Sequence, residues 1–103
     1  MPYHGINELM EKTLYLINLF DIYGELLTDK QKEYFIEYYF NNYTLGEISE
    51  NNNVTRNAVH KSLKETEEKL LLYEKTLKIY EKTKKIKELV KNTELKDKLE
   101  EIL

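Results

Sequence analysis

YTLGEISENNNVTRNAVHKSLK, residues 43–64, sets three consecutive asparagines between two stretches that each begin as a helix does. Thr44 and Glu47 have the spacing of a capping box, in which each side chain takes the other residue's backbone amide. Tyr43 and Ile48 stand at the positions of a hydrophobic staple across that start. A short helix is therefore predicted over about Leu45–Asn51, with Leu45 and Ile48 on its apolar side and small Ser49 where another helix can approach. Asn52 and Asn53 end it, because asparagine tolerates the left-handed conformation that such a stop requires. Thr55 then caps a second helix, and Val54 can staple onto Val59. Two helices joined by a three- to four-residue turn, with apolar residues at 45, 48, 54, 59 and 63, make a helix-turn-helix, predicted over residues 44–64.

In such a unit the second helix enters the major groove with its N-terminal residues toward base edges or phosphates. On the side away from Val59 and Leu63 the sequence places Arg56, Asn57, His60, Lys61 and Lys64. Arg56 can fork onto guanine and Asn57 onto adenine, whereas Lys61 and Lys64 suit phosphates. His60 has the weaker case. With Thr55 at the helix start, these form the candidate nucleic-acid-binding set. The bland alternative is an αα-hairpin built for packing, with ordinary surface charges.

The second helix does not stop at Lys64. Val59, Leu63, Thr66, Leu70, Tyr73, Leu77 and Tyr80 alternate steps of four and three, a heptad seam that needs a partner. The recognition helix is therefore expected to run past Leu77 as a spine. A second stripe, Leu72, Ile79 and Ile86, could receive the first helix of the chain. After Thr83 the seam dissolves, and Thr93 can cap a short final helix with Leu95, Leu99 and Ile102 on its apolar side. The spine requires either a second copy, giving a homodimer, or that final helix folding back.

Upstream, Leu9, Leu16, Ile17, Phe20 and Tyr23 form one stripe of a helix over about Asn7–Leu26. Leu14, Leu19 and Ile22 widen it. Thr28 and Gln31 make another capping box, opening a helix from Asp29 to about Phe40. Its aromatic residues Tyr34, Phe35, Tyr38 and Tyr39 could stack bases, but their spacing favours one buried face. The pattern is all-α throughout, with one helical domain over 1–103 and an extension over 65–103.

Composition bounds the function. The chain has 103 residues, 41% hydrophobic and 34% charged, which suits a folded, highly helical protein rather than a disordered one. It has no cysteine and two histidines, His4 and His60. A disulfide framework, a thiolate metal site and an H-E-x-x-H centre are thereby excluded. There is no glycine-rich phosphate loop, and carboxylate pairs such as Glu100 and Glu101 fall on solvated helices. No catalytic residues, cofactor, metal or small-molecule substrate are expected: the protein reads as a non-enzyme. No apolar run approaches the ~20 residues of a membrane span, and the N-terminus lacks a signal peptide's order, so a cytoplasmic location and no membrane partner are expected. The net charge of −3 hides an asymmetry. Residues 1–54 carry 3 basic against 9 acidic side chains, while residues 75–91 carry 7 against 2. An acidic front and a basic back permit a nucleic-acid partner.

Residues 27–77 resemble the YlxM family of small bacterial proteins, whose helix-turn-helix is similar to region 4 of sigma factors. Leu27, Thr28, Lys30 and Gln31 match the family's L-T-x-K-Q. Leu45, Glu47 and Ile48 match S-L-x-E-I-A; Val54, Arg56, Ala58, Val59 and Lys64 match V-S-R-Q-A-V-Y-D-x-I-K-R. Tyr73, Glu74, Lys75 and Leu77 match Y-E-x-K-L. The chain departs at Asn57, His60, Lys61 and Glu65, where the family has Gln, Tyr, Asp and Arg, so a sequence read by those side chains would differ. The resemblance implies an accessory or regulatory role in the signal recognition particle pathway, with that particle's RNA or protein as partner.

Two functional readings stand. One is a nucleic-acid-binding regulator, its ligand duplex DNA or signal recognition particle RNA. Groove geometry favours DNA, since side chains cannot read the deep, narrow RNA major groove. The other is a protein-interaction module that uses the helix-turn-helix only as a scaffold. Acidic net charge favours it, as do Glu65, Glu67 and Glu68 beside the reading face, where they repel phosphates.

Overall fold

The computed structural model describes residues 4–91 and 100–101, with side chains from residue 7 onward. Five α-helices succeed one another: α1 His4–Tyr23, α2 Asp29–Phe35, α3 Leu45–Asn52, α4 Arg56–Leu77 and α5 Ile79–Leu89. There is no strand among the described residues. Of the final helix expected from Thr93, only residues 100 and 101, both helical, are described. Its cap and its apolar residues Leu95, Leu99 and Ile102 lie outside the described residues.

Each start has a local cause. Thr28 accepts the Gln31 amide at 3.2 Å while the Gln31 side chain accepts the Thr28 amide at 3.0 Å. Thr44 and Glu47 do the same at the head of α3, both at 3.0 Å. Gln31 is buried, and its side-chain oxygen also accepts the Lys69 ammonium of α4 at 3.2 Å. α1 tightens into a 3₁₀ turn over Gly24–Leu26, three residues earlier than a full α-helix to Leu26 would end.

The segment after α2 widens into a π-helical turn, Ile36–Phe40, closed by the Asn41 amide on the Ile36 carbonyl at 3.0 Å. In an α-helix, residues five apart diverge by about 140° around the axis. The wider turn brings Phe40 back to the side of Phe35, where both rings meet Phe20 of α1, at 6.0 and 4.3 Å between centroids. The aromatic stripe is accordingly not one buried face. Tyr34 and Phe35 are buried, Tyr39 is half-buried, and Tyr38 stays exposed.

α4 is the spine, and two clusters share it. Val59 and Leu63 pack with Ile48 and Leu45 of α3 and Tyr34 of α2. Further along, Leu70 packs with Leu16, Leu19 and Tyr23 of α1 and Phe35 of α2, with Tyr73 against the same group. Thr66, between the clusters, is buried with its hydroxyl donating to the Ser62 carbonyl at 2.8 Å. The heptad seam thus finds its partners within the chain as far as Tyr73. The first helix lies on this seam rather than on the second stripe, whose Leu72, Ile79 and Ile86 remain exposed.

The spine also ends earlier than its periodicity predicts. α4 stops at Leu77, and Lys78 adopts φ 56°, ψ 32°, the left-handed region, before α5 begins. The joint is held from inside. Glu74, buried in the last turn of α4, accepts the amides of Tyr80 and Glu81, each at 3.1 Å. The Tyr23 hydroxyl donates to Glu74 at 2.6 Å and accepts the Ile79 amide at 3.2 Å. Three of the amides that a helix start leaves unpaired are thereby satisfied without a capping side chain at Lys78. Bending there carries α5 across α1, where Tyr80 meets Tyr15 edge-on at 5.4 Å.

Candidate nucleic-acid interface

The turn between α3 and α4 is built by the asparagines as their chemistry dictates. Asn53 sits at φ 56°, ψ 43°, the left-handed stop. The Val54 amide reaches back to the Ser49 carbonyl at 3.1 Å, six residues spanned as in a Schellman turn. Asn52 donates its amide to the Ile48 carbonyl at 2.8 Å and to the Glu37 carboxylate at 3.3 Å. That second bond ties the end of α3 to the π-helical turn. Ser49 is buried where the two helices approach, its hydroxyl donating to the Gly46 carbonyl at 2.7 Å.

Thr55 starts α4, accepting the Ala58 amide at 3.0 Å through its side chain. That oxygen is occupied by capping, so what the helix start offers a ligand there is backbone. The amides of Arg56 and Asn57 come too early in the helix for an intrahelical acceptor. They supply two outward donors that side-chain letters do not reveal.

Arg56, Asn57, His60, Lys61 and Lys64 are all exposed, while Val59 and Leu63 between them are buried. None of the five is in an ion pair or a hydrogen-bonded network among the described residues. The first turn of α4 holds no acidic residue, unlike α2 with Asp29 and α3 with Glu47. An arginine at the first helical position opposes the helix dipole, an arrangement that stability alone disfavours by a few tenths of a kcal/mol to about 1 kcal/mol.

The acidic neighbours divide. Glu65 and Glu68 are exposed. Glu67 accepts the Tyr39 hydroxyl and faces inward from the reading side. Burial, then that bond to Glu67, pushes the Tyr39 hydroxyl well above its ordinary pKa. Among the described residues no group of His, Asp or Glu is placed to hold a metal ion.

A short capped helix, a left-handed asparagine turn and a second helix whose inner face is locked and outer face free define a helix-turn-helix protein. The comparisons with known proteins agree. The chain belongs to the UPF0122 family, described as "Putative helix-turn-helix protein, YlxM / p13 like", which matches residues 10–102. UPF0122 protein TTE1463 of Caldanaerobacter subterraneus subsp. tengcongensis is 44% identical over 89 residues, 86% of this chain and 68% of that protein. UPF0122 protein MYPE4850 of Malacoplasma penetrans is 52% identical over 56 residues, 54% of this chain and 52% of that protein. UPF0122 protein lin1916 of Listeria innocua is 50% identical over 66 residues, 64% of this chain and 60% of that protein. The matched stretches therefore span from about half to two thirds of these relatives' length. No helix among the described residues is long and apolar enough to cross a membrane.

Proposed function

We propose that this protein is a non-enzymatic, cytoplasmic, nucleic-acid-binding regulatory protein that uses Thr55, Arg56, Asn57, His60, Lys61 and Lys64 at the head of α4. The observation that carries the reading is the placement of Arg56 at the first helical position, exposed and without an ion partner, beside two unpaired amides. Phosphate oxygens are what such amides and cations complement. Arg56 and Asn57 read base edges, and Lys61 and Lys64 hold the backbone. The ligand is duplex DNA or the RNA of the signal recognition particle; resemblance to the YlxM family supports an accessory role in that pathway, with the particle's protein as a further partner. The unit acts as a homodimer, because α1 covers one side of α4 and α5 while Leu72, Ile79 and Ile86 stay exposed on the other.

The test is a titration of the purified protein with random duplex DNA and with signal recognition particle RNA across a salt series. Binding that weakens steeply with salt is expected. Absence of any salt-dependent binding at ~50 mM salt would instead favour a scaffold for protein contacts, the reading that exposed Glu65 and Glu68 support.

A further inference from the structure

α5 leaves an open cleft where it crosses α1. Its volume is about 730 Å³, with Ile22, Ile79 and Tyr80 on the apolar side and Lys84, Lys87 and Lys91 among its polar residues. The three lysines are exposed and in no ion pair among the described residues. They outnumber the Asp21 and Glu88 that also line the cleft, within a segment that carries 7 lysines against 2 glutamates. An apolar groove edged by unpaired cations fits an acidic amphipathic helix.

The chain contains such a helix and leaves it uncovered. In the first turns of α1, Leu9, Met10 and Leu14 are 66%, 58% and 58% exposed, with Glu8 and Glu11 among them. Met10 and Leu14 are one turn apart, and Glu11 flanks Leu14 at i, i+3. Isolated exposed leucines are ordinary, but a paired acidic–apolar and basic–apolar surface on one chain is self-complementary.

We propose that the cleft between α1 and α5 receives the acidic first turns of α1 from a second copy of this chain. The inference rests on the homodimer reading above and names its interface. The two α1 helices lie antiparallel about a two-fold axis passing between Leu14 and Asn18. That register sets Met10 of each copy opposite Ile22 of the other, and Glu8 and Glu11 toward Lys84, Lys87 and Lys91. Because every contact is made twice, the association closes at two copies.

The experiment is sedimentation equilibrium of the full chain at tens of micromolar, with far-UV circular dichroism to check that each variant is folded. The wild type is expected to be a dimer that weakens as salt rises. The double variant Glu8→Lys/Glu11→Lys and the triple variant Lys84→Glu/Lys87→Glu/Lys91→Glu should each dimerise more than about tenfold more weakly, because each places like charges together. Mixed one to one, the two variants should recover dimer, since each then meets opposite charge at both contacts. A monomeric wild type overturns the homodimer itself. A dimeric wild type whose mass neither variant changes keeps the homodimer and overturns this interface.

Discussion

The Tyr23 hydroxyl donates to the Glu74 carboxylate at 2.6 Å, joining the end of α1 to the end of α4 across 51 residues of sequence. Both groups are buried, and between them they satisfy the first three amides of α5. Tyr23→Phe should therefore cost about 1–3 kcal/mol, since it leaves the Ile79 amide without its acceptor. Glu74→Ala should cost more, because it strands two amides and the Tyr23 hydroxyl at once. Urea unfolding measures both, and amide exchange should show protection lost first at Ile79–Glu81.

Alkaline pH attacks the same kind of contact. Burial, followed by bonding to Glu74 or Glu67, raises the pKa of Tyr23 and of Tyr39 above the ordinary tyrosine value of 10.0. The unfolded chain therefore gives up these protons before the folded one does. Their stabilisation is complete below pH 10 and declines as pH rises from there toward the folded values. The urea midpoint should hold up to pH ~9 and fall by pH ~11. Absorbance at 295 nm should resolve late-titrating tyrosines among the nine, one fewer in Tyr39→Phe.

Arg56 and the lysines should separate by kind of effect. If Arg56 forks onto a base, Arg56→Ala should lose about 1–3 kcal/mol on a preferred site and relax sequence preference there. Lys61→Ala and Lys64→Ala should weaken binding to all sequences alike and reduce the salt slope by about one each. A salt slope unchanged in both lysine variants would remove them from the interface.

Two positions along the spine predict opposite signs of stability change. Lys78 holds a left-handed backbone, which costs a non-glycine residue about 1–2 kcal/mol. Lys78→Gly should thus raise the melting temperature or leave it unchanged. Leu70 is fully buried between α1 and α2. Leu70→Ala should cost about 2–5 kcal/mol, through the core of one chain rather than through any second copy. Thermal melts of both variants decide these signs.

Whatever in the fold depends on neighbours in sequence was legible there. Thr28 with Gln31 and Thr44 with Glu47 announce their capping boxes because both partners lie three residues apart. Asn53 announces its stop because few side chains tolerate that backbone. Lys78 announces nothing, since lysine has no preference for the left-handed region and the groups that compensate are Tyr23 and Glu74. The two apolar stripes of α4 and α5 were legible as stripes. Periodicity says which residues share a face, however, not which neighbour takes it, and α1 went to the seam. At the candidate interface, exposure of Arg56, Asn57, His60, Lys61 and Lys64 followed from the burial of Val59 and Leu63. The free amides beside them did not, because every residue type carries one.

The π-helical turn at Ile36–Phe40 holds one residue more than an α-helix would use to make the same advance. Removing a single residue there would restore the regular ladder while rotating everything downstream by about 100° and drawing it back by about 1.5 Å. Thr44, Leu45 and Ile48 would then no longer face Val59 and Leu63. The azimuth at which the helix-turn-helix departs from the rest of the chain is in this sense a counted quantity, and a one-residue deletion should be tolerated far less here than in the loop at Asn41–Tyr43.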